Sequence, residues 1–316
     1  MATLARAAPV VRTDHAPTGF TATDLLLLCM ALIWGVNFAV VKFGTRQFTP
    51  LAFNSSRITL AAVVLWVIVA VGRYRLPQPR DWPRLLALGA LGNGLYQIFF
   101  VEGIARTRAG DAALFIAASP AFMTLIGRVR GTERTGVRGI IGIALSLVGI
   151  GLVVFGSDAG DAGRSASLLG DALLLCASLC WAFYTVLLKP YTERVEGVPL
   201  SAVTMVGGAI PLVLVSTPEL LRMPWREVGP PGWGAVAYSG LLALALAYLF
   251  WYRGVRVLGP TRAGMYSNLQ PIFALGVAWA TLHEAPRAPQ IAGAACILAG
   301  LLLARIPGAT VVAPCE

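Results

Sequence analysis

The chain has 316 residues, 57% of them hydrophobic and 13% charged, with a net charge of +10. Soluble domains carry about 25% charged residues, so a water-soluble globule of this length is excluded. The positive charge does not point to nucleic acid either, because binding a phosphate backbone takes a solvated basic face and the apolar windows leave no segment to build one.

A helix that spans a bilayer needs about 20 mainly apolar residues. Past a polar tail, 1–20, ten stretches meet that requirement, at roughly 23–42, 51–71, 84–103, 110–129, 137–156, 171–189, 199–217, 233–253, 260–281 and 287–305. The seventh is the least secure, since Gly207, Gly208 and Pro211 interrupt it. What lies between the stretches is too short for a soluble domain. No apolar run precedes residue 23, so no cleavable signal is expected. The expected fold is all-α: a membrane protein of ten helices. Lys and Arg concentrate in loops that stay in the cytoplasm. With both termini inside, the inner loops and tails hold sixteen of the 25 basic residues, Arg73, Arg75, Arg80, Arg128, Arg130, Arg134 and Arg138 among them. The bias comes mostly from the first half. It supports both ends in the cytoplasm, and the expected location is a bacterial inner (cell) membrane.

The first five stretches recur in the second five. At a shift of 147, Asp24, Cys29, Trp34 and Lys42 meet Asp171, Cys176, Trp181 and Lys189. At a shift of 151, Gly103, Ala112, Pro120, Phe122, Glu133 and Gly142 meet Gly254, Ala263, Pro271, Phe273, Glu284 and Gly293. The expected organisation is a first repeat at 21–156, a periplasmic linker at 157–170, a second repeat at 171–306 and a cytoplasmic tail at 307–316. Five is odd, so the second unit enters the membrane from the opposite face and the repeats are inverted. Secondary transporters are commonly built this way, with their site near the midplane where the units meet. Exchanging the conformations of two similar units would turn an outward-open state into an inward-open one.

At 1.5 Å per residue, Trp34 lies about 15 Å into the first helix, and Trp181 holds the same depth in the sixth. Asn93, Tyr96 and Gln97 fall mid-span in the third helix. Polar groups at such depth face a bundle interior or a wet cavity. The expected cavity lining is Trp34, Asn37, Asn93, Tyr96, Gln97, Ser119, Trp181, Tyr184, Tyr266 and Gln270; the bland alternative for each is an interhelical hydrogen bond. Pro120 and Pro271 each remove a backbone donor and are read as a pair of kinks suited to a gate, or as static kinks. The intramembrane charges are Lys42, Arg57 and Glu102. Arg57 and Glu102 are expected to pair, with contact to a zwitterionic substrate as the alternative, and Lys42 to snorkel to the interface. Asp24 and Asp171 read as N-caps. Trp66, Trp225 and Trp233 read as interface anchors. Glycines at 139, 142, 149, 293 and 300 suit close helix packing, within one chain or in a homodimer.

No metal site or cofactor is expected. Cys29, Cys176, Cys180 and Cys296 read as small apolar residues within spans, and the only histidines are His15 and His283. No nucleophile–base set is recognisable, and H-E-x-x-H and G-x-S-x-G are both absent, which argues against an enzyme. A sensor would need an output domain for which there is no room.

Several of these residues fall into motifs. Trp34-Gly35-Val36-Asn37-Phe38 is followed by Lys42; Ser119-Pro120-Ala121-Phe122 and Leu269-Gln270-Pro271-Ile272-Phe273 sit mid-helix; Glu133 and Glu284 follow thirteen residues after each proline. In this order, and duplicated, they resemble the drug/metabolite transporter superfamily, specifically its ten-helix EamA type, over about residues 20–306. The resemblance implies ten helices around a central cavity, cytoplasmic termini and a small-molecule substrate. It implies export of amino acids or related metabolites, with a multidrug/cation exporter or a sugar-type metabolite transporter as alternatives. Substrate does not follow from fold. A cation exporter would need a deep carboxylate to exchange protons, and no span carries one near its centre.

Overall fold

The structure is a computed structural model that describes residues 21–130, 137–155 and 161–305. Among the described residues it is all helix and loop. The helical stretches are α1 (Ala22–Gln47), α2 (Pro50–Val71), α3 (Pro79–Arg106), α4 (Ala109–Val129), α5 (Val137–Phe155), α6 (Asp161–Thr192), α7 (Gly197–Arg222), α8 (Pro230–Leu258), α9 (Pro260–Ser267), α10 (Gln270–Leu282) and α11 (Ala288–Arg305). Seven are long and apolar enough to cross a membrane: α1 to α4, α7, α8 and the Leu168–Thr192 part of α6. Three shorter apolar segments, Ile140–Gly149, Gln270–Leu282 and Ala288–Gly300, accompany them.

Local chemistry explains the boundaries. Thr21 caps α1 through a reciprocal box: its hydroxyl accepts from the Asp24 amide, and the Asp24 carboxylate accepts from the Thr21 amide at 2.7 Å. Such a box satisfies two orphan donors at once. Pro50 and Pro230 open α2 and α8, where the missing amide hydrogen costs nothing. The insecure seventh stretch forms one helix that runs through Pro211 and Pro218. Asp171 is not a cap. Helix α6 starts at Asp161, within the segment read as linker, and leaves Asp171 buried inside it.

Two helices leave α geometry at their middles. In α3, Ala90–Leu95 is π-helical, and in α8 so is Tyr238–Leu246. Two others are broken at a shift of 151: α4 turns at Ala117 and Ala118 before Pro120, and α9 is separated from α10 at Asn268 and Leu269 before Pro271. Each proline therefore stands in the first turn of a new helical segment rather than inside a continuous one.

Polarity is turned outward-in. Val67 and Leu214 are 55% and 68% exposed, while Asn54, Arg57, Asn93 and Thr204 are 0% exposed. That distribution suits a lipid solvent. Helix pairs come in matched sets: α3 packs on α6 and α8 on α1; α4 packs on α6 and α10 on α1; α2 packs on α7 and α5 on α11. Glycines permit the closest crossings. A β-carbon at Gly89 would stand 2.1 Å from the Thr204 carbonyl oxygen, and one at Gly149 2.7 Å from the Gly293 carbonyl oxygen. The small residues of α5 and α11 thus meet within one chain.

Gly89→Leu should destabilise the purified protein by about 1–3 kcal/mol or more, the usual cost of overpacking, because α3 cannot approach α7 around a side chain. Gly276, where an added β-carbon would meet nothing within 4 Å, is the control. Gly276→Ala should leave melting temperature unchanged or raise it. Thermal unfolding in detergent reads both.

Candidate functional site

Mid-bundle, α1, α2, α3, α4, α6, α8, α9 and α10 surround a small cavity of ≈ 40 Å³ in this conformation. Small-molecule sites run from about 300 to 1,000 Å³, so a substrate fits here only when the walls part. Trp34, Asn37, Tyr96, Gln97, Ser119, Trp181 and Gln270 line it, and so does Pro120. Asn93, Tyr184 and Tyr266 do not. Asn93 is buried against the backbone of Gly208. The Tyr184 hydroxyl is 2.5 Å from that of Tyr252, in a separate cluster with Thr204. Tyr266 donates to the Asp24 carboxylate at the beginning of α1.

The two tryptophans come together. Trp34 and Trp181 meet edge to face with ring centroids 5.7 Å apart. Tyr248 joins both, at 5.8 and 5.5 Å, and Tyr96 lies 5.2 Å from Trp181. Edge-on and offset arrangements are those the ring quadrupoles favour. Trp34 Nε1 donates to the Ala243 carbonyl at 2.8 Å, within the π-helical part of α8, which fixes the indole plane. Sequence reasoning missed Tyr248 and Phe100. They belong to no motif, but at the shift of 151 they fall opposite Gln97 and Trp251, so the repeat register is the signal that could have found them.

The break at Pro120 has its backbone satisfied by serines. Ser119 Oγ donates to the Ile116 carbonyl at 2.8 Å, the oxygen a helical amide at Pro120 would have bonded. Ser178 Oγ of α6 donates to the Phe115 carbonyl at 2.8 Å and lies 3.0 Å from Ser119 Oγ. At the Pro271 break the position equivalent to Ser119 is Gln270, and Ser267 Oγ is buried at the cavity wall; among the described residues neither it nor Asn37 Oδ1 has a hydrogen-bond partner.

The charged residues depart from expectation. Arg57 is 0% exposed and does not pair with Glu102. Its Nε donates to Asn54 Oδ1 at 3.0 Å, Nη1 to Ser239 Oγ at 2.8 Å and Nη2 to Gln97 Oε1. Glu102 instead pairs with Arg106, one helical turn along α3, at the bundle margin. That local partner is always within reach, whereas Arg57 points into the bundle. Lys42 does not snorkel. Its ammonium donates to the carbonyls of Ile104, Ala105 and Thr107 at 2.9, 3.1 and 2.7 Å, closing the end of α3. Glu284 lies at the same end of the bundle, where its carboxylate accepts from the Ala109 amide that opens α4, at 3.0 Å. Its repeat counterpart Glu133 is outside the described residues. Trp225 and Trp233 stack at 6.0 Å beside Phe48, and Trp66 rests against Trp82.

These features define a multi-helix membrane protein with a polar, aromatic interior cavity. The chain belongs to the EamA-like transporter family, which matches residues 21–155 and 168–306. It is 25% identical over 291 residues to YyaM, an uncharacterized transporter of Bacillus subtilis, covering 90% of this chain and 94% of that one. It is 28% identical over 278 residues to a probable terminal-alkyne amino-acid exporter of Streptantibioticus cattleyicolor, covering 88% and 91%. A solved crystal structure superposes with a TM-score of 0.68 at 19% identity, covering 90% of this chain and 99% of that one, a likeness of fold alone.

Two substitutions separate the roles of Lys42 and Glu102. Lys42→Met strips three carbonyls of a charged donor and should cost about 1.5–3 kcal/mol. Glu102→Gln removes only a margin pair one turn apart and should cost less than about 0.5 kcal/mol. Thermal unfolding of both variants in detergent is the comparison. A large loss from Glu102→Gln would restore it to a structural role.

Proposed function

We propose that the chain is a bacterial inner-membrane exporter of amino acids or related small metabolites, working by alternating access of the mid-bundle cavity. Ten segments cross the membrane, with α9 and α10 together making the ninth, and both termini are cytoplasmic. The matched helix pairs, the matched π-helical stretches of α3 and α8, and the matched proline breaks support two inverted repeats. In such a pair of repeats the site lies at their interface.

The observation that carries the reading is the meeting of Trp34 and Trp181, from repeat-related helices, at the wall of one cavity. The rings offer flat apolar surface to a side chain. Asn37 and Ser267 offer polar atoms on the same wall that no described residue satisfies. That combination suits a small molecule with one polar end and one apolar end. The amino-acid exporter among the relatives favours the same substrate class. A cation exporter fits less well, because the one charged residue among the described cavity residues is a cation, Arg57.

Proteoliposomes containing the purified chain should show counterflow of at least one radiolabelled amino acid. Trp181→Ala should reduce its rate by roughly tenfold or more, since the loss acts on substrate contact, while leaving folded yield near that of the parent. Transport of quaternary ammonium compounds with no amino-acid counterflow would favour the cation exporter. Unchanged counterflow in both Trp34→Ala and Trp181→Ala would remove the aromatic pair from the substrate's path.

A further inference from the structure

We propose that Arg57 is the substrate's anion site, so that the transported molecule carries a single carboxylate and seats it against this guanidinium. The inference rests on the reading of the mid-bundle cavity as the substrate's place.

A guanidinium has five N–H donors and no acceptor. Here three are used, and every acceptor is neutral: the Asn54 amide, the Ser239 hydroxyl and the Gln97 amide. That leaves one N–H on each terminal nitrogen without a protein acceptor among the described residues. One N–H on each of two terminal nitrogens is the donor set that a carboxylate's two oxygens accept in a bidentate pair. No carboxylate among the described residues answers the charge. The ionisable groups there that interact with Arg57 are the phenols of Tyr96 and Tyr248. The rings of Phe53 and Phe100, each 5.7 Å away, supply a partial counter-field. A buried charge is ordinarily paired or bound to a ligand. Carboxylates elsewhere in the bundle have their own partners: Glu102 pairs with Arg106, Glu284 accepts from the head of α4 and Asp111 accepts from Gln290.

Position makes the group useful. Arg57 stands on the cavity wall with Tyr96, Gln97 and Tyr248. Gln97 both accepts from Arg57 and donates to the Tyr248 hydroxyl at 3.4 Å, so the guanidinium is held from α3 and α8 as well as from its own helix. None of Arg57 is exposed in this conformation, and an anion reaches it only when the wall widens. A monoanion neutralises one cation. A phosphate ester would bring surplus negative charge into a wall whose described residues offer no second cation, which sets carboxylates above phosphates.

The test uses the whole purified chain in detergent, with stabilisation against heat and tryptophan fluorescence as readouts. The probes are phenylalanine, leucine, phenylacetate, phenylalaninamide, phenethylamine and glucose 6-phosphate. The carboxylates should bind at least tenfold more tightly than the amide, the amine and the phosphate ester. Arg57→Lys should weaken the carboxylates by tenfold or more, and Arg57→Gln should abolish the preference for them. Should the variants fail to fold, the selectivity of the unaltered chain decides. Binding of phenethylamine, the amide or glucose 6-phosphate as tight as that of the acids overturns the proposal, and so does the absence of binding by every acid. Binding of phenylacetate without phenylalanine or leucine leaves the anion site standing and removes the amino-acid reading.

Discussion

In hydrocarbon no water completes an unpaired amide, so each break in a helix must be answered by another part of the protein. Several of the long-range hydrogen bonds of this chain are those answers. Where α4 breaks before Pro120, the hydroxyls of Ser119 and Ser178 take the freed carbonyls and tie α4 to α6. Where α3 ends, the Lys42 ammonium takes three carbonyls and ties α3 to α1. The opening amide of α4 finds Glu284 at the far end of α10, and the Trp34 indole finds a carbonyl in the π-helical part of α8. Breaks in regular structure thus become the joints between elements. A joint made of a few hydrogen bonds can be remade in a second arrangement more cheaply than a packed apolar seam.

The interior holds two contrasting groups. One is the aromatic cluster around Trp34, Trp181 and Tyr248, worth about 0.5–1.5 kcal/mol per ring pair beyond burial. The other is Arg57, a charge that costs at least about 2.5–3.5 kcal/mol at the centre of a membrane helix. Neutral hydrogen bonds and two phenylalanine rings return part of that cost. A fold selected for stability alone would have an apolar residue at 57. Retaining the cation beside the aromatic surface makes sense where a ligand of opposite charge supplies the rest.

Much of this was legible in the sequence because it is written in local pattern. Apolar length announces the helices, and the recurrence of Trp34 as Trp181, or of Pro120 as Pro271, is visible by aligning the chain with itself. Depth counted along a helix was enough to bring Asn37, Gln97 and Gln270 to the cavity wall. It failed for Asn93 and Tyr184, since depth does not give azimuth: these point at α7 and at Thr204 instead. Glu102 and Arg57 invited pairing by charge alone, yet the arginine four residues along α3 was the nearer partner. Lys42 at a helix end resembles an interface lysine until the α3 terminus is placed beside it. Its partners are backbone oxygens, which no residue pattern advertises. The π-helical stretch Ala90–Leu95 has a cue in its glycines, whereas Tyr238–Leu246 has little beyond its repeat relation to the first.

We propose that the cavity between the repeats is presented to each side of the membrane in turn and holds the substrate. The direct measurement replaces Cys29, Cys176, Cys180, Cys296 and Cys315 and introduces one cysteine at Ser119, on the cavity wall. Membrane-impermeant maleimide is then applied to sealed vesicles of each orientation. Slow labelling is expected from both faces, with protection from both by a transported amino acid. A cysteine that reacts from one face only, or that substrate fails to protect, would contradict it.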